Sequence, residues 1–187
     1  MRLLLAITLS LALAACSTVG FNSPSASGSL DPLTDDVGSL LIAFDLPRGL
    51  GPNNAAGQLF TFDVPQGGPT EHLRLLLIPA DADLAAGHLP PPAEGRAYYL
   101  YTLDGAARAQ IQAAQATATA KNVPGKSVQI GVVPHLCSSG PVDQYATTVS
   151  IFATLPGRTG PLPFMNHETL ANVLQMPGST QLAICNG

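Results

Sequence analysis

The chain reads as a mainly β domain, an antiparallel β-sandwich of about seven strands with one or two inserted helices. Three observations lead there. Short apolar runs recur between clusters of glycine and proline, the pattern of antiparallel strands and their turns. One stretch alone, residues 104–121, carries a helical period. No second linker divides residues 38–187, so these elements share one core in a single β-rich domain.

The first run covers residues 39–45 and is stopped by Leu46, Pro47, Arg48 and Gly49. Residues 59–64 alternate, with Phe60, Phe62 and Val64 on one face. Pro65 to Pro69 turns the chain, and residues 72–78 form a leucine-rich run ended by Pro79. A loop containing Pro90, Pro91 and Pro92 leads to the strand at 96–103. In residues 104–121, Ala107, Ile111, Ala114 and Ala118 share one helical face, and Asp104 suits the N-cap. The second half of that stretch also alternates Ala with Gln and Thr, but its alanine content favours helix. Further strands are expected at 127–133, at 145–155 and at 180–185, with a short helix opening at Asn166 or Thr169 and running to Gln175.

Ahead of this domain, Arg2 precedes an apolar segment at residues 3–13 that ends in Leu13, Ala14, Ala15 and Cys16. The segment falls short of the roughly 20 apolar residues a spanning helix needs and suits a signal peptide. The motif at 13–16 resembles the lipobox of bacterial lipoprotein precursors. That resemblance covers residues 3–17. It implies that 1–15 are removed as a lipoprotein signal peptide and that Cys16 becomes the lipid attachment site, with a thioether-linked diacylglycerol and an N-terminal acyl chain. Several acyl chains on one residue give stable anchoring, since each buried methylene contributes about 0.8 kcal/mol. By the same resemblance Ser17, where a retention signal would place Asp, points to the outer membrane facing the periplasm. Residues 16–37 are rich in Ser, Gly, Pro, Asp and Thr without an apolar period, as expected of a flexible tether.

Composition narrows the partners. Charged residues make up 11% of the chain, against about 25% in an average soluble domain. The surface is therefore nearly neutral and adhesive. Lys121 and Lys126 are the only lysines and the arginines are scattered, so nucleic-acid binding lacks its main electrostatic term. With Cys16 lipidated, Cys137 and Cys185 remain. In an oxidising compartment they are expected to form a disulfide. It would close a loop of about fifty residues and contribute about 4 kcal/mol in the chain-entropy model. A metal-binding pair or free thiols are the alternatives, and no C-x-x-C spacing supports the first.

No catalytic or cofactor motif stands out, and no cofactor is expected. His72, His88, His135 and His167 lack H-x-x-x-H or H-x-H spacing. Met165, His167 and Met176 are a soft-ligand set that could suit Cu(I), with helix packing as the plainer account. His167 and Glu168 begin an H-E-x-x-H pattern that fails at Ala171. Ser138 and Ser139 near His135 lack the G-x-S-x-G elbow of a serine hydrolase. Asp81 and Asp83 suit a solvated turn. Arg96, Tyr98, Tyr99 and Tyr101 form the densest aromatic cluster and are the candidate interaction surface, with sheet packing as the alternative.

The expectation is a non-enzymatic envelope lipoprotein, held in the membrane through its N-terminal lipid and serving an envelope protein partner. A periplasmic module binding a peptide, glycan or small molecule is the second reading, and a hydrolase the third. An exposed apolar patch or bare strand edge would favour the first; histidines gathered in a pocket would favour the others.

Overall fold

The computed structural model describes residues 30–65, 70–85 and 88–185. Cys16, the expected signal peptide and the expected tether as far as residue 29 lie outside them. Among the described residues the fold is mainly β: ten strands in two sheets, with two α-helices.

Six of the expected strands lie in one antiparallel sheet: β1 (Leu41–Pro47), β3 (Gln58–Val64), β4 (Glu71–Pro79), β5 (Arg96–Leu103), β6 (Gln129–Val133) and β8 (Thr148–Thr154). A seventh, β9 (Leu162–Thr169), completes the order β6-β3-β4-β5-β1-β8-β9. Strands β2 (Leu50–Pro52), β7 (Leu136–Ser138) and β10 (Ala183–Ile184) form a small second sheet in the order β10-β7-β2. Its β10–β7 pair is parallel. Strands β2, β7 and β9 have no counterpart in the sequence reading. The first two are only three residues long. Pro163 and the polar Asn166, His167 and Glu168 obscure the third.

Alternation decides which side chains enter the core. Phe60, Phe62 and Val64 of β3 are fully buried, as are Ile42, Phe44 and Leu46 of β1. Helix α1 (Gly105–Ala120) lays Ala107, Ile111, Ala114 and Ala118 onto the same core. Its start is fixed by the Asp104 carboxylate, which accepts the Ala107 N–H at 2.7 Å. The small alanines let the helix axis approach the sheet, while Ile111 fills the space between them. Helix α2 (Leu170–Leu174) is capped in the same way by Thr169 and buries Leu170 and Val173.

The sheet is strongly curled. A flat seven-stranded sheet would hold its edges about 29 Å apart. The chain leaves β9 at Thr169, makes the short α2, and already at Gly178 lies beside Val133 of β6. Nine residues that include a helical turn span only about 22 Å. The fold is therefore compatible with a sandwich or an incompletely closed barrel, in which the segment after α2 crosses between the two edges.

Residues 30–37, assigned to the tether from composition, are bound to the domain. Leu30 and Leu33 pack on the core and Val37 is fully buried. The Gln115 side-chain amide donates to the carbonyls of Pro32 and Asp35 at 2.8 and 2.9 Å, and Arg158 pairs with Asp35 at 2.9 Å. Their polarity reflects hydrogen bonding to the domain, so residues 30–37 belong to the domain and not to the expected tether.

The sulfurs of Cys137 and Cys185 are bonded, with Cα atoms 4.9 Å apart and 48 residues between them in sequence. The link lies between β7 and the residue after β10. Because β10 has only two paired residues, the cross-link is the main hold on the C-terminal strand. Reduction, or Cys137→Ser with Cys185→Ser, is expected to lower stability by about 4 kcal/mol. Urea unfolding with and without reductant measures this, and an unchanged midpoint would refute it.

Candidate interaction surface

Along β4, Leu75 and Leu77 enter the core, which turns Leu76 and Ile78 outward at 54% and 38% exposure. Strand register carries this outer row across the sheet. Leu76 stands opposite Leu59 and Ile78 opposite Thr102. Leu100 faces Ala43 of β1, and Ala43 faces Phe152 of β8. Leu59, Leu100 and Phe152 are half-buried, and small Ala43 is buried among its neighbours. Gly57 makes the β3 end of this row possible. Its φ of 69° suits glycine, and a Cβ there would stand 2.5 Å from Leu76 Cδ1.

Two arginines frame the row. From α1, Arg108 donates to the Leu103 carbonyl at 2.9 Å and to Thr102 Oγ1 at 3.3 Å. At the other end Arg96 grips Asp45, which is 8% exposed in the middle of the sheet. Arg96 Nε donates to Asp45 Oδ1 at 2.8 Å and Nη2 to the Asp45 carbonyl at 2.7 Å. The guanidinium also reaches the Thr148 carbonyl of β8 at 3.3 Å. One side chain thus neutralises a buried carboxylate and ties three adjacent strands together.

Strand alternation divides the tyrosine cluster between the two faces of β5. Tyr101 is 5% exposed, packs edge-on to Phe44 with ring centroids 5.2 Å apart, and donates to Asn54 Oδ1 at 3.4 Å. Tyr99 lies on the same face, half-buried, with its hydroxyl on the Leu50 carbonyl at 3.4 Å. Tyr98 takes the other face, beside Asp45 and Arg96. Burial first, and then the Asp45 carboxylate, raise its phenol above the usual range, while Arg96 pulls the other way. Arg96 is held by internal partners. Of the three tyrosines, Tyr98 alone borders the outer apolar row.

The remaining candidates are dispersed. His72 is exposed and meets Asp63 across the β3–β4 pair at 2.9 Å. His88 sits in the loop between β4 and β5. Met165 is in the core, whereas exposed His167, two residues on, has a φ of 54° beside the irregular β8–β9 register. That irregularity separates two positions a regular strand would put on one face. Met176 packs on the core after α2. His135 directs both ring nitrogens at carbonyl oxygens, those of Gly57 and Gly178, and so is not placed as a base toward Ser138 or Ser139. Asp81 and Asp83 are exposed around a 3-10 turn. Among the described residues no three His, Cys, Asp or Glu side chains could share a metal ion, and no helix is long and apolar enough to cross a membrane.

Set against protein-family models, curated proteins and solved structures, the chain matches none of them.

Two outcomes follow from the buried polar groups. Arg96→Gln strands the Asp45 carboxylate and is expected to cost about 3–5 kcal/mol in urea unfolding, part of it recovered by adding Asp45→Asn. A loss below about 1 kcal/mol would mean that the pair behaves like a surface ion pair. Burial pushes the Tyr101 phenol up from 10.0 to about 12, with Tyr99 adding to the shift. Since the folded value is the higher one, its contribution to stability is complete below pH 10.0 and is lost as pH rises through about 12. Phenolate absorbance should therefore show Tyr101 ionising late, together with unfolding, and four phenols titrating alike near pH 10.0 would contradict this.

Proposed function

We propose that this chain is a lipid-anchored, non-enzymatic envelope lipoprotein. Its domain acts as an interaction or assembly accessory in the periplasm, tethered to the outer membrane through Cys16. The reading is carried by the outward apolar row on β4, where Leu76 and Ile78 are exposed beside Leu59 and Leu100 in a protein with few charges. Exposed apolar surface of this kind marks association sites.

Geometry favours a protein partner over the bilayer. The chain enters the domain at residues 30–31, where Asp31 lies beside Gly125 ahead of β6. Leu76 stands in the cross-strand row of Leu59 and Val133, at the far end of β6 from the row of Gln129 and Asp63. Four strand residues, about 13 Å, separate those two rows. A tether entering at one end of the sheet leaves the apolar row at the other end free to meet a second envelope protein with a complementary apolar face.

The test is in-cell crosslinking of the lipidated protein, with mass spectrometry of the adducts and with Cys16→Ser and Leu76→Asp as variants. One dominant envelope protein should be captured, and Leu76→Asp should reduce its capture about tenfold or more while the domain stays folded, the scale of losing one interface anchor. Capture insensitive to Leu76→Asp would refute the surface. A Cys16→Ser protein that still partitions into the detergent phase would refute the anchor. No reproducible adduct would favour the ligand-binding reading.

A further inference from the structure

His135 is 6% exposed, and both of its ring nitrogens face backbone carbonyl oxygens. Nδ1 is 2.6 Å from the Gly57 oxygen and Nε2 is 3.0 Å from the Gly178 oxygen. A carbonyl oxygen only accepts. A neutral imidazole has one N–H and one bare lone pair, so it serves one of these oxygens and turns its lone pair on the other. Only the doubly protonated ring donates to both.

We propose that His135 is a proton-operated latch. The imidazolium ties the strap that follows α2, residues 175–185, to the turn before β3, and loss of one proton releases the strap at Gly178. The Gly57 side holds because it belongs to a rigid unit. Gly57 N–H donates to the Asn53 carbonyl at 3.2 Å. The Gln58 amide is locked to the backbone of His135 itself, donating to its carbonyl at 2.9 Å and accepting its N–H at 2.8 Å. The Gly178 contact is longer and lies on a segment with no strand pairing of its own before Ala183.

The charged groups around the ring are few. The turn at residues 53–57, the strap at 176–180 and strands β2, β6 and β7 carry no titratable side chain besides His135 and the bonded Cys137. Strand β4 contributes Arg74, whose Nη1 reaches Gly178. The disulfide at Cys185 retains the far end of the strap, so release loosens a loop and does not free the C-terminus.

The latch stands independently of any partner, yet it touches the apolar row. Gly178 covers Val133, which is 7% exposed and shares a cross-strand row with Leu59 and Leu76. Lifting the strap lengthens that row by one buried valine and uncovers the end of an edge strand. Proton concentration would thus set how much apolar surface this end of the sheet presents.

The experiment uses the full processed chain in detergent, labelled with ¹⁵N. Ring ¹⁵N shifts of His135 and amide exchange of Met176, Gly178, Ser179 and Thr180, corrected for intrinsic rates, are followed between about pH 5 and 8, the span in which histidine titrates. Two ring N–H groups are expected at the acid end, with strap protection falling roughly five-fold toward the alkaline end, the scale of one hydrogen bond. His135→Gln, which offers donors but does not titrate, should show strap protection independent of pH. A single N–H on the His135 ring at the acid end, or protection constant across the range in the wild type, would overturn the latch. So would the same pH dependence in His135→Gln. The ring shifts of the wild type decide the matter even if the variant does not fold.

Discussion

The fold depends on a charge held inside a sheet. Strand β1 is buried on both faces, with Phe44 toward the core and Asp45 among strands β5 and β8. A carboxylate there is strongly unfavourable unless paired. Arg96 supplies the pairing, and its reach to the Thr148 carbonyl makes it span β5, β1 and β8 at one level. A one-residue slip of β1 against either neighbour would carry Asp45 into the apolar core and leave the guanidinium without a partner. The buried pair therefore fixes register, and register sets which side chains form the outer apolar row.

The two sides of that sheet are finished differently. The inner side is closed by α1, whose alanines permit close contact, and by residues 30–37, which cross the helix through Gln115 and end at Arg158. The outer side has no covering layer over Leu76 and Ile78 among the described residues.

Much of this was legible in the sequence, and what was not has definite physical causes. Helix α1 announced itself because Asp104 caps it and Ala107, Ile111, Ala114 and Ala118 repeat at its period. Strand β3 did so because Phe60, Phe62 and Val64 alternate with polar neighbours. Strand β4 hid its outward face: Leu75 to Ile78 is apolar without interruption, and such a run reads as buried on both sides. Only the tertiary structure decides what covers it. The tyrosines presented the opposite difficulty. Strand alternation alone splits them between two faces, but does not say that the Tyr99 and Tyr101 face turns inward. The disulfide partners followed once Cys16 was assigned to lipid, whereas their placement between β7 and β10 depended on strands too short to see.

The sheet order has a further consequence for how the molecule comes into being. Strand β1 lies between β5 and β8, and its residue Leu41 pairs with Thr154. A chain emerging N-terminus first thus offers its central strand long before one of its two neighbours exists. Pairings so distant in sequence are slow to form, and until they do β1 shows an open edge and two apolar faces to its surroundings. Protection of the nascent chain against self-association is therefore needed longest for the strand that is made first.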